Sequence, residues 1–350
     1  MTSTPAQRNK LGLITFALIL IAGLFYVKWS PYYHKAFLAA ANHAIGNSIL
    51  MGKDASPPPA SLDAALAYAF AYGKAIWQAM VLGLLLGSGV QALLPANWVA
   101  KALGGTGFGS VAAGGLMGIP TMMCTCCAAP VVAGLRTQKA SPGAAISFWL
   151  GNTVLNPATL VFMGFVLGWN WTVLRLVMGL ILVFGLGFLA NKLITPEEAQ
   201  SAKIQIDQLS EANSNENMFV RWLKIFGKMA IKLIPEYIVL ILLLGAARVF
   251  LFPHIGPEIG NSIFWIISFA LAGALFVIPT AGEVPIIQAM LALGLGVGPA
   301  GALLMTLPPI SLPSVAMVAR SFKPTLLALI TAAVIGIGII TGLIAIALGF

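Results

Sequence analysis

Residues 119–130 read IPTMMCTCCAAP, and residues 278–285 open with the same three letters in IPTAGEVP. Both stretches interrupt long apolar runs. Proline lacks the backbone N–H that a helix needs and crowds the preceding turn, so each stretch should break the helix that contains it. The same motif at two such interruptions favours a duplicated helical protein with one break in each copy.

The composition of the chain indicates whether water or lipid surrounds it. The chain has 350 residues, of which 59% are hydrophobic and 8% charged, with a mean hydropathy of +0.95. A soluble domain carries about 25% charged residues, so we expect a bilayer, with membrane lipid as a partner. Three cysteines are too few for a disulfide scaffold. The net charge is +9, but the sequence lacks the basic stripe with interleaved aromatics that nucleic-acid binding requires. No nucleic acid is therefore expected as a partner.

The N-terminal part predicts one membrane helix and a loop. Residues 11–29 are apolar and long enough to approach the about 20 residues that span a bilayer. A cleaved signal peptide is the alternative; the length of the run and the aromatic Trp29 and Tyr32 that follow favour a retained helix. Residues 30–61 are mixed and end in three prolines, which predicts an outer loop.

The rest of the chain divides into two similar parts, residues 62–193 and 218–350. Leu82–Pro95 matches Leu240–Pro253 at seven of fourteen positions. Chance similarity of Leu-rich helices is the alternative, but the Ile-Pro-Thr motif recurs in the same order. Between the two parts, residues 194–217 carry five of the ten acids, as a solvated cytoplasmic linker does.

Basic residues orient the chain. With a cytoplasmic N-terminus, thirteen of the nineteen Lys and Arg fall on the inner side and one lies within a helix. Five fall outside, namely Lys28, Lys35, Lys53, Arg175 and Arg248. This arrangement obeys the positive-inside rule. An odd number of crossings then separates the two repeats, so they should be inverted relative to each other.

Short segments interrupted by Gly and Pro in corresponding places of two halves indicate a transporter's binding site. Here they are Trp98–Leu135 and Ile259–Leu295. Each could be two full crossings or one re-entrant hairpin, and we favour hairpins or broken helices. The expected fold is an all-α polytopic membrane protein, an inverted-repeat transporter-like bundle with two broken or re-entrant helical hairpins. The expected helix-breaking residues are Pro120, Pro130, Pro279 and Pro285.

All three cysteines lie in the first break, as Cys124, Cys126 and Cys127, beside Met123. Thiol and thioether sulfurs prefer soft species, which predicts a site for a thiophilic metal or metalloid, three-coordinate in the absence of a fourth ligand. Cysteine as a small packing residue is the alternative. The Cys124/Cys127 spacing also permits redox chemistry.

The second break carries Glu283, which aligns with Cys124. A carboxylate inside the membrane is costly and marks a functional site, so we expect it to load and release protons. A short extramembrane turn is the alternative.

Two polar clusters flank the breaks. They comprise Asn152 and Asn156 in the first repeat and Ser311 and Ser314 in the second. These side chains either line a polar substrate path or satisfy backbone groups that the prolines leave unbonded. The sequence contains no Gly-x-x-x-x-Gly-Lys-Ser/Thr phosphate loop.

With Cys124-Thr-Cys-Cys-Ala-Ala-Pro130, Ser141-Pro-Gly-Ala-Ala145 and Asn156-Pro157, the chain resembles the bacterial predicted-permease family that includes the ArsP-type organoarsenical efflux permeases. The resemblance covers residues 62–193 and 218–350. It implies a permease of the bacterial inner membrane, with efflux of trivalent organoarsenicals as the activity of some members. Cys124 and Cys126 match the family's cysteine pair and Pro130 its proline, while Cys127 and Glu283 depart from its pattern.

We therefore expect a secondary transporter, not an enzyme, without a cofactor and able to form a homo-oligomer. It would export a thiophilic metal or metalloid species such as a trivalent organoarsenical. Its thiols would capture the substrate and Glu283 would carry the proton. The main alternative is a membrane thiol-disulfide electron carrier that uses Cys124 and Cys127, although the second half has no cysteine. A scaffold protein and a channel also remain open.

Overall fold

The computed structural model describes residues 5–51, 57–193, 217–252 and 255–350. This part of the chain is helical and contains no strand. Nearly all of the linker expected at 194–217 lies outside the described residues.

Sixteen α-helices follow one another along the described chain. They are α1 (Pro5–Leu24), α2 (Ser30–Asn42), α3 (Leu62–Ala92), α4 (Ala96–Leu103), α5 (Phe108–Gly118), α6 (Thr125–Thr137), α7 (Pro142–Val154), α8 (Pro157–Val166), α9 (Trp169–Leu180), α10 (Leu186–Lys192), α11 (Met218–Leu251), α12 (Ile263–Leu275), α13 (Glu283–Ala292), α14 (Val297–Thr306), α15 (Leu312–Val318) and α16 (Pro324–Ala347). Short π-helical turns join α1 to α2 (Phe25–Trp29) and α9 to α10 (Ile181–Gly185), and a 3₁₀ turn (Ile119–Thr121) follows α5.

Six helical segments are long and apolar enough to cross a membrane: Lys10–Asn42, Leu62–Ala92, Pro142–Val166, Trp169–Lys192, Met218–Leu251 and Pro324–Ala347. The pair α4 and α5 is bent by 111° and forms a seventh candidate. The helices beside the two interruptions are only 10 to 13 residues long. At 1.5 Å per residue each covers about half of a bilayer core. The fold class expected from the sequence, a multi-pass bundle with broken helices, is confirmed.

The prediction of an outer loop over residues 30–61 is wrong for its first part, because helix α2 occupies Ser30–Asn42. It continues α1 through the π-helical turn, where the Ser30 N–H bonds to the Phe25 carbonyl five residues back. Proline normally clashes with the carbonyl four residues before it. The wider π turn relieves that clash, so Pro31 fits inside one long N-terminal helix.

Apart from α4, which is present in the first half alone among the described residues, the two halves contain the same succession of helices. A long helix comes first (α3 and α11), then two short helices around the break (α5 and α6, α12 and α13), then two further short ones (α7 and α8, α14 and α15), and a long apolar stretch last (α9 with α10, and α16). The halves also interlock, since α3 packs against α11, α6 against α15, and α8 against α13. The exact domain boundaries stay predictions.

Close backbone contact fixes the helix that carries the thiols. A Cβ on Gly83 of α3 would overlap the carbonyl oxygen of Cys127, and one on Gly87 would overlap that of Pro130. Small residues allow such approach between membrane helices. Helix α6 is therefore held against α3 along its whole first half.

Three of the basic residues assigned to the outer side, Lys28, Arg175 and Arg248, are buried in the bundle. The side of the membrane on which they lie stays a prediction. They sit inside because each finds polar partners there, in Thr280, Glu283 and the Leu50 carbonyl respectively. The cytoplasmic placement of the N-terminus stays a prediction.

Candidate functional site

The two breaks share an unusual backbone conformation. Met122 follows the first Ile-Pro-Thr motif with φ of 50°, and Ala281 follows the second with φ of 64°. Left-handed φ values are uncommon outside glycine and concentrate at functional sites. Two positions after these residues stand Cys124, the N-cap of α6, and Glu283, the first residue of α13. The match at both breaks supports the alignment of Cys124 with Glu283.

Asn152 of α7 satisfies the backbone of the first break. Its Oδ1 accepts hydrogen bonds from the Met123 N–H (2.8 Å) and from the Thr121 hydroxyl, and its Nδ2 donates to the Met123 carbonyl (3.1 Å). Unpaired backbone groups are costly inside a membrane. The amide therefore takes the structural role that the sequence left open, and Asn152 places Met123 beside the thiols.

Aromatic hydroxyls do the same at the second break. Tyr68 of α3 donates to the Val277 carbonyl, and Tyr72 donates to the Ile278 carbonyl at 3.4 Å. Tyr237 of α11 donates to Tyr72 across 3.0 Å. The sequence did not reveal these tyrosines, since aromatic residues in apolar helices usually serve packing.

A small cavity of about 10 Å³, room for roughly one water molecule, lies between the breaks. Both Cys124 from the first repeat and Glu283 from the second line it. Sulfur and carboxylate therefore meet at one cavity, as the sequence alignment predicted. The remaining lining residues are Met123, Thr125, Thr153, Thr159, Ile278, Pro279, Thr280, Ala281 and Pro308.

Two of the three thiols lie together, and the third lies apart from them. The Sγ atoms of Cys124 and Cys127 lie 2.7 Å apart. The Cys126 Sγ instead lies 3.7 Å from the Ser311 Oγ of the second repeat, because residues two apart project to different faces of a helix. Within the described residues no group of three or more His, Cys, Asp or Glu could hold a metal ion. The expectation of one three-thiol centre is therefore wrong for this conformation.

Glu283 is not isolated. Arg175 of α9 donates from Nη1 to the Glu283 Oε1 at 2.7 Å, and the exposed fractions of the two side chains are 0% and 2%. The Arg175 Nε and Nη2 donate to the carbonyls of Val154 and Thr153, each at 3.0 Å. Glu283 is thus buried inside the bundle, and its depth in the membrane stays a prediction. The carboxylate is far from other charges only along the sequence.

The N-terminal helix reaches both breaks. The buried Lys28 Nζ donates to the Thr280 Oγ1 at 3.0 Å and to the Tyr32 hydroxyl at 3.4 Å. Beside it, the Trp29 Nε1 donates to the Pro120 carbonyl at 2.8 Å. Lys28 and Trp29 thus contact the Ile-Pro-Thr motif of the second and the first repeat respectively.

The other predicted polar residues cap helices. The Asn156 Oδ1 accepts from the N–H groups of Ala158 (3.0 Å) and Thr159 (3.3 Å) at the start of α8. Ser311 and Ser314 form a capping box at the start of α15. A role in substrate binding stays a prediction for Asn152, Asn156, Ser311 and Ser314, whose positions all have a structural explanation.

The predicted helix breakers divide into two kinds. Pro120 and Pro279 lie in the breaks themselves. Pro130 and Pro285 lie inside α6 and α13, so their prediction as helix-breaking residues is wrong. Pro285 is in the first turn, where backbone N–H groups have no partner within the helix. Neighbouring helices support Pro130, whose carbonyl faces Gly87.

Arg175 and Lys28 are the functional candidates that sequence reasoning missed. One signal could have found Arg175, a single charge within the apolar run that follows Trp171. An intramembrane charge calls for a partner. Lys28 stands at the end of an apolar run before aromatic residues and therefore looked like a residue at the membrane surface.

Comparison with known proteins agrees with this architecture. A family model described as a predicted permease matches residues 62–346, that is, both repeats without the N-terminal helix. The chain is 49% identical over 340 residues to the UPF0718 protein YraQ of Escherichia coli K12, covering 97% of this chain and 96% of that protein. It is 22% identical over 310 residues to the UPF0718 protein MJ0584 of Methanocaldococcus jannaschii, covering 71% and 85% respectively. No solved structure matches. The family model covers well over half of the chain and the Escherichia coli relative almost all of it, so this multi-pass membrane protein belongs to the predicted-permease family.

Proposed function

We propose that the protein is a secondary transporter that exports a thiophilic metalloid species, with trivalent organoarsenicals as the substrate class. One observation carries the proposal: the sulfurs of Cys124 and Cys127 lie 2.7 Å apart where Cys124 lines the cavity between the two breaks. Paired thiols are soft ligands. Half-length helices that meet at a break are where transporters of this build hold their substrates.

A pair of thiols selects among arsenicals by the number of bonds that it can form. A monosubstituted trivalent arsenical, R–As(OH)₂, has two exchangeable hydroxyl groups. When two thiols attack, two As–S bonds form, two As–O bonds break, and two water molecules leave with the two thiol protons. Arsenite has three exchangeable hydroxyl groups. The pair would replace two of them and leave the third on the arsenic, because Cys126 faces Ser311 and lies apart from the pair. The pair therefore favours the monosubstituted class.

Glu283 is the proposed proton carrier. Its carboxylate lines the same cavity but is held by Arg175. Breaking one side of a buried ion pair is costly, so protonation of Glu283 would have to accompany a movement that gives Arg175 other partners. The carbonyls of Thr153 and Val154 already accept hydrogen bonds from Arg175 and would keep the guanidinium bonded after Glu283 is released.

The test is uptake into everted membrane vesicles from cells that express the protein, with arsenic measured by elemental mass spectrometry. We expect phenylarsine oxide to accumulate and arsenite to accumulate at least about tenfold less, since ligand number and geometry govern selectivity. Cys124→Ser and Cys127→Ser should each reduce accumulation at least about tenfold, as expected when one of two soft ligands is lost.

The third cysteine supplies the matched control. Cys126→Ser changes the same atom type on the same helical turn and leaves the Cys124/Cys127 pair intact. It should retain most of the accumulation. Full activity of Cys124→Ser and Cys127→Ser, or equal loss in all three variants, would overturn the role of the pair. A sensitivity panel of metals and metalloids on a deletion strain would then rank other substrates.

The same sulfur pair favours a second candidate, a membrane thiol-disulfide electron carrier. Two thiols 2.7 Å apart need little movement to join. A carrier must hand electrons on, however, and the second half of the chain contains no cysteine to receive them. The discriminating experiment uses Cys127→Ser, which would leave a mixed disulfide between Cys124 and a soluble thioredoxin-like partner. Trapping that adduct, when vesicles with the wild-type protein accumulate no phenylarsine oxide, would favour the carrier.

A further inference from the structure

Lys28 carries a buried charge that pairs with no acid among the described residues. Its side chain is only 5% exposed, and its hydrogen-bond partners are the hydroxyls of Thr280 and Tyr32. Lys28 belongs neither to the ion pair of Arg175 with Glu283 nor to that of Arg320 with Glu236. An ammonium ion buried in a membrane protein normally pairs with an anion. The position of Lys28 therefore requires a negative charge close by.

The thiol pair at the cavity can supply this charge. Cys124 caps the N-terminus of α6, a helix of 13 residues, and helix N-termini favour negative groups. Thr280, which accepts from the Lys28 Nζ at 3.0 Å, lines the same cavity as Cys124. Glu283 cannot serve, because Arg175 already neutralises it.

We infer that Lys28 is the counter-ion of a thiolate on the Cys124–Cys127 pair, which is thereby kept as one thiol and one thiolate sharing a single proton. This deepens the proposed function and rests on it for its consequence in transport. Lys28 is a positioning residue, since it acts through the sulfurs. The thiolate is the nucleophilic form of cysteine, and a resident cation maintains it inside an apolar bundle.

A thiolate in the pair changes the number of protons that move when the substrate binds. A thiol–thiolate pair holds one proton where two thiols hold two. Two As–S bonds still form and two As–O bonds break. The two departing hydroxyl groups leave as water by taking the thiol proton and one proton from solvent. Binding of a neutral R–As(OH)₂ therefore takes up one proton, and release returns it.

The N-terminal helix is built to hold Lys28 in this place. Trp29, the next residue, is fixed to the Pro120 carbonyl of the first break, while Lys28 itself bonds to Thr280 of the second. Both residues lie in the π-helical turn, and such turns are frequent at functional sites. The cation thus comes from a helix outside the segment that the family model matches.

The test measures thiol reactivity, which needs no transport. The full chain carrying Cys126→Ser is purified in detergent, so that Cys124 and Cys127 are its only thiols. Their alkylation by iodoacetamide at pH 7 is followed by mass spectrometry. Lys28→Met should slow alkylation at least about tenfold, the effect of losing one close opposite charge on ionisation. Lys28→Arg keeps the charge and should stay within about threefold, a smaller effect than loss of the charge.

The sign of the change separates charge from structure. If Lys28 only packed the helix, its replacement would loosen the bundle and expose the thiols, and alkylation would become faster. Lys35→Met is the matched control, because Lys35 lies on the same helix and also over the Tyr32 ring, but is exposed; its rate should not change. Lys28→Gln is the second neutral variant if Lys28→Met does not fold.

An unchanged or faster rate in the neutral variants would overturn the inference. The vesicle assay judges the proposed function separately. Slowed alkylation together with transport that survives Cys124→Ser would uphold the ion pair and reject the substrate role of the thiols. Normal alkylation in Lys28→Met with transport abolished by Cys124→Ser would reject the ion pair and leave the transport proposal standing.

Discussion

Arg175 in the first repeat and Glu283 in the second form an ion pair of 2.7 Å that is closed to solvent on both sides. It joins the two halves of the bundle at the cavity that also receives Cys124. The guanidinium further holds the carbonyls at the end of α7. The ion pair thus links the two repeats and is also part of the candidate site.

The ion pair predicts strong coupling between Arg175 and Glu283 in the free energy of unfolding. Arg175→Met or Glu283→Met alone should destabilise the protein by about 3 kcal/mol, because each leaves an uncompensated buried charge. The double variant should recover most of that loss. Thermal unfolding in detergent, compared across the four proteins, measures the interaction. Additive losses in the double variant would show that the two side chains do not depend on each other.

The contact between α3 and α6 predicts a size limit at Gly83. Gly83→Ala should lower both stability and vesicle accumulation, because its Cβ would displace the Cys127 backbone. Gly73→Ala is the control on the same helix, where a Cβ meets nothing within 4 Å. It should be neutral or stabilise the helix by up to about 1 kcal/mol. Equal melting temperatures for both variants would contradict the close approach.

Asn152 predicts how much the first break depends on one side chain. Asn152→Ala removes all three hydrogen bonds to the break and should destabilise the protein by about 2 kcal/mol or more, since it leaves the Met123 N–H and carbonyl buried without partners. Asn152→Asp keeps the acceptor oxygen and loses the Nδ2 donor, so its melting temperature should fall between those of Asn152→Ala and wild type. A wild-type melting temperature for Asn152→Ala would show that other groups satisfy the break.

Much of this architecture could be predicted from the sequence, because its signals are local or repeated. Two Ile-Pro-Thr motifs sufficed to place the breaks and to align Cys124 with Glu283, since proline acts on its own helix and a repeat imposes its symmetry on distant positions. The family resemblance was confirmed as well. The predicted N-terminal helix ended at residue 29, where the apolar run closes, whereas the structure continues it through the π turn into α2.

The electrostatics of the site could not be predicted, because the pairs come from distant parts of the chain. Arg175 lies 108 residues from Glu283 and Lys28 lies 252 residues from Thr280. Neither pair belongs to corresponding positions of the repeats, so symmetry gave no guide. The orientation of the thiols also depended on the start of α6 at Thr125, which turns Cys126 away from its two neighbours.

The final prediction concerns the proton. Glu283→Gln keeps an amide oxygen for Arg175 but removes the ionisable group, and a carboxylate in the membrane is the expected site of proton coupling. We expect exchange of phenylarsine oxide across vesicles to continue at equal concentrations while accumulation driven by a proton gradient is lost. Glu236→Gln is the matched control, since its carboxylate also pairs with an arginine, Arg320 at 2.6 Å, but is exposed. It should accumulate substrate like wild type. Accumulation by Glu283→Gln at the wild-type level would assign the proton to another group, with the sulfurs beside Lys28 as the first to test.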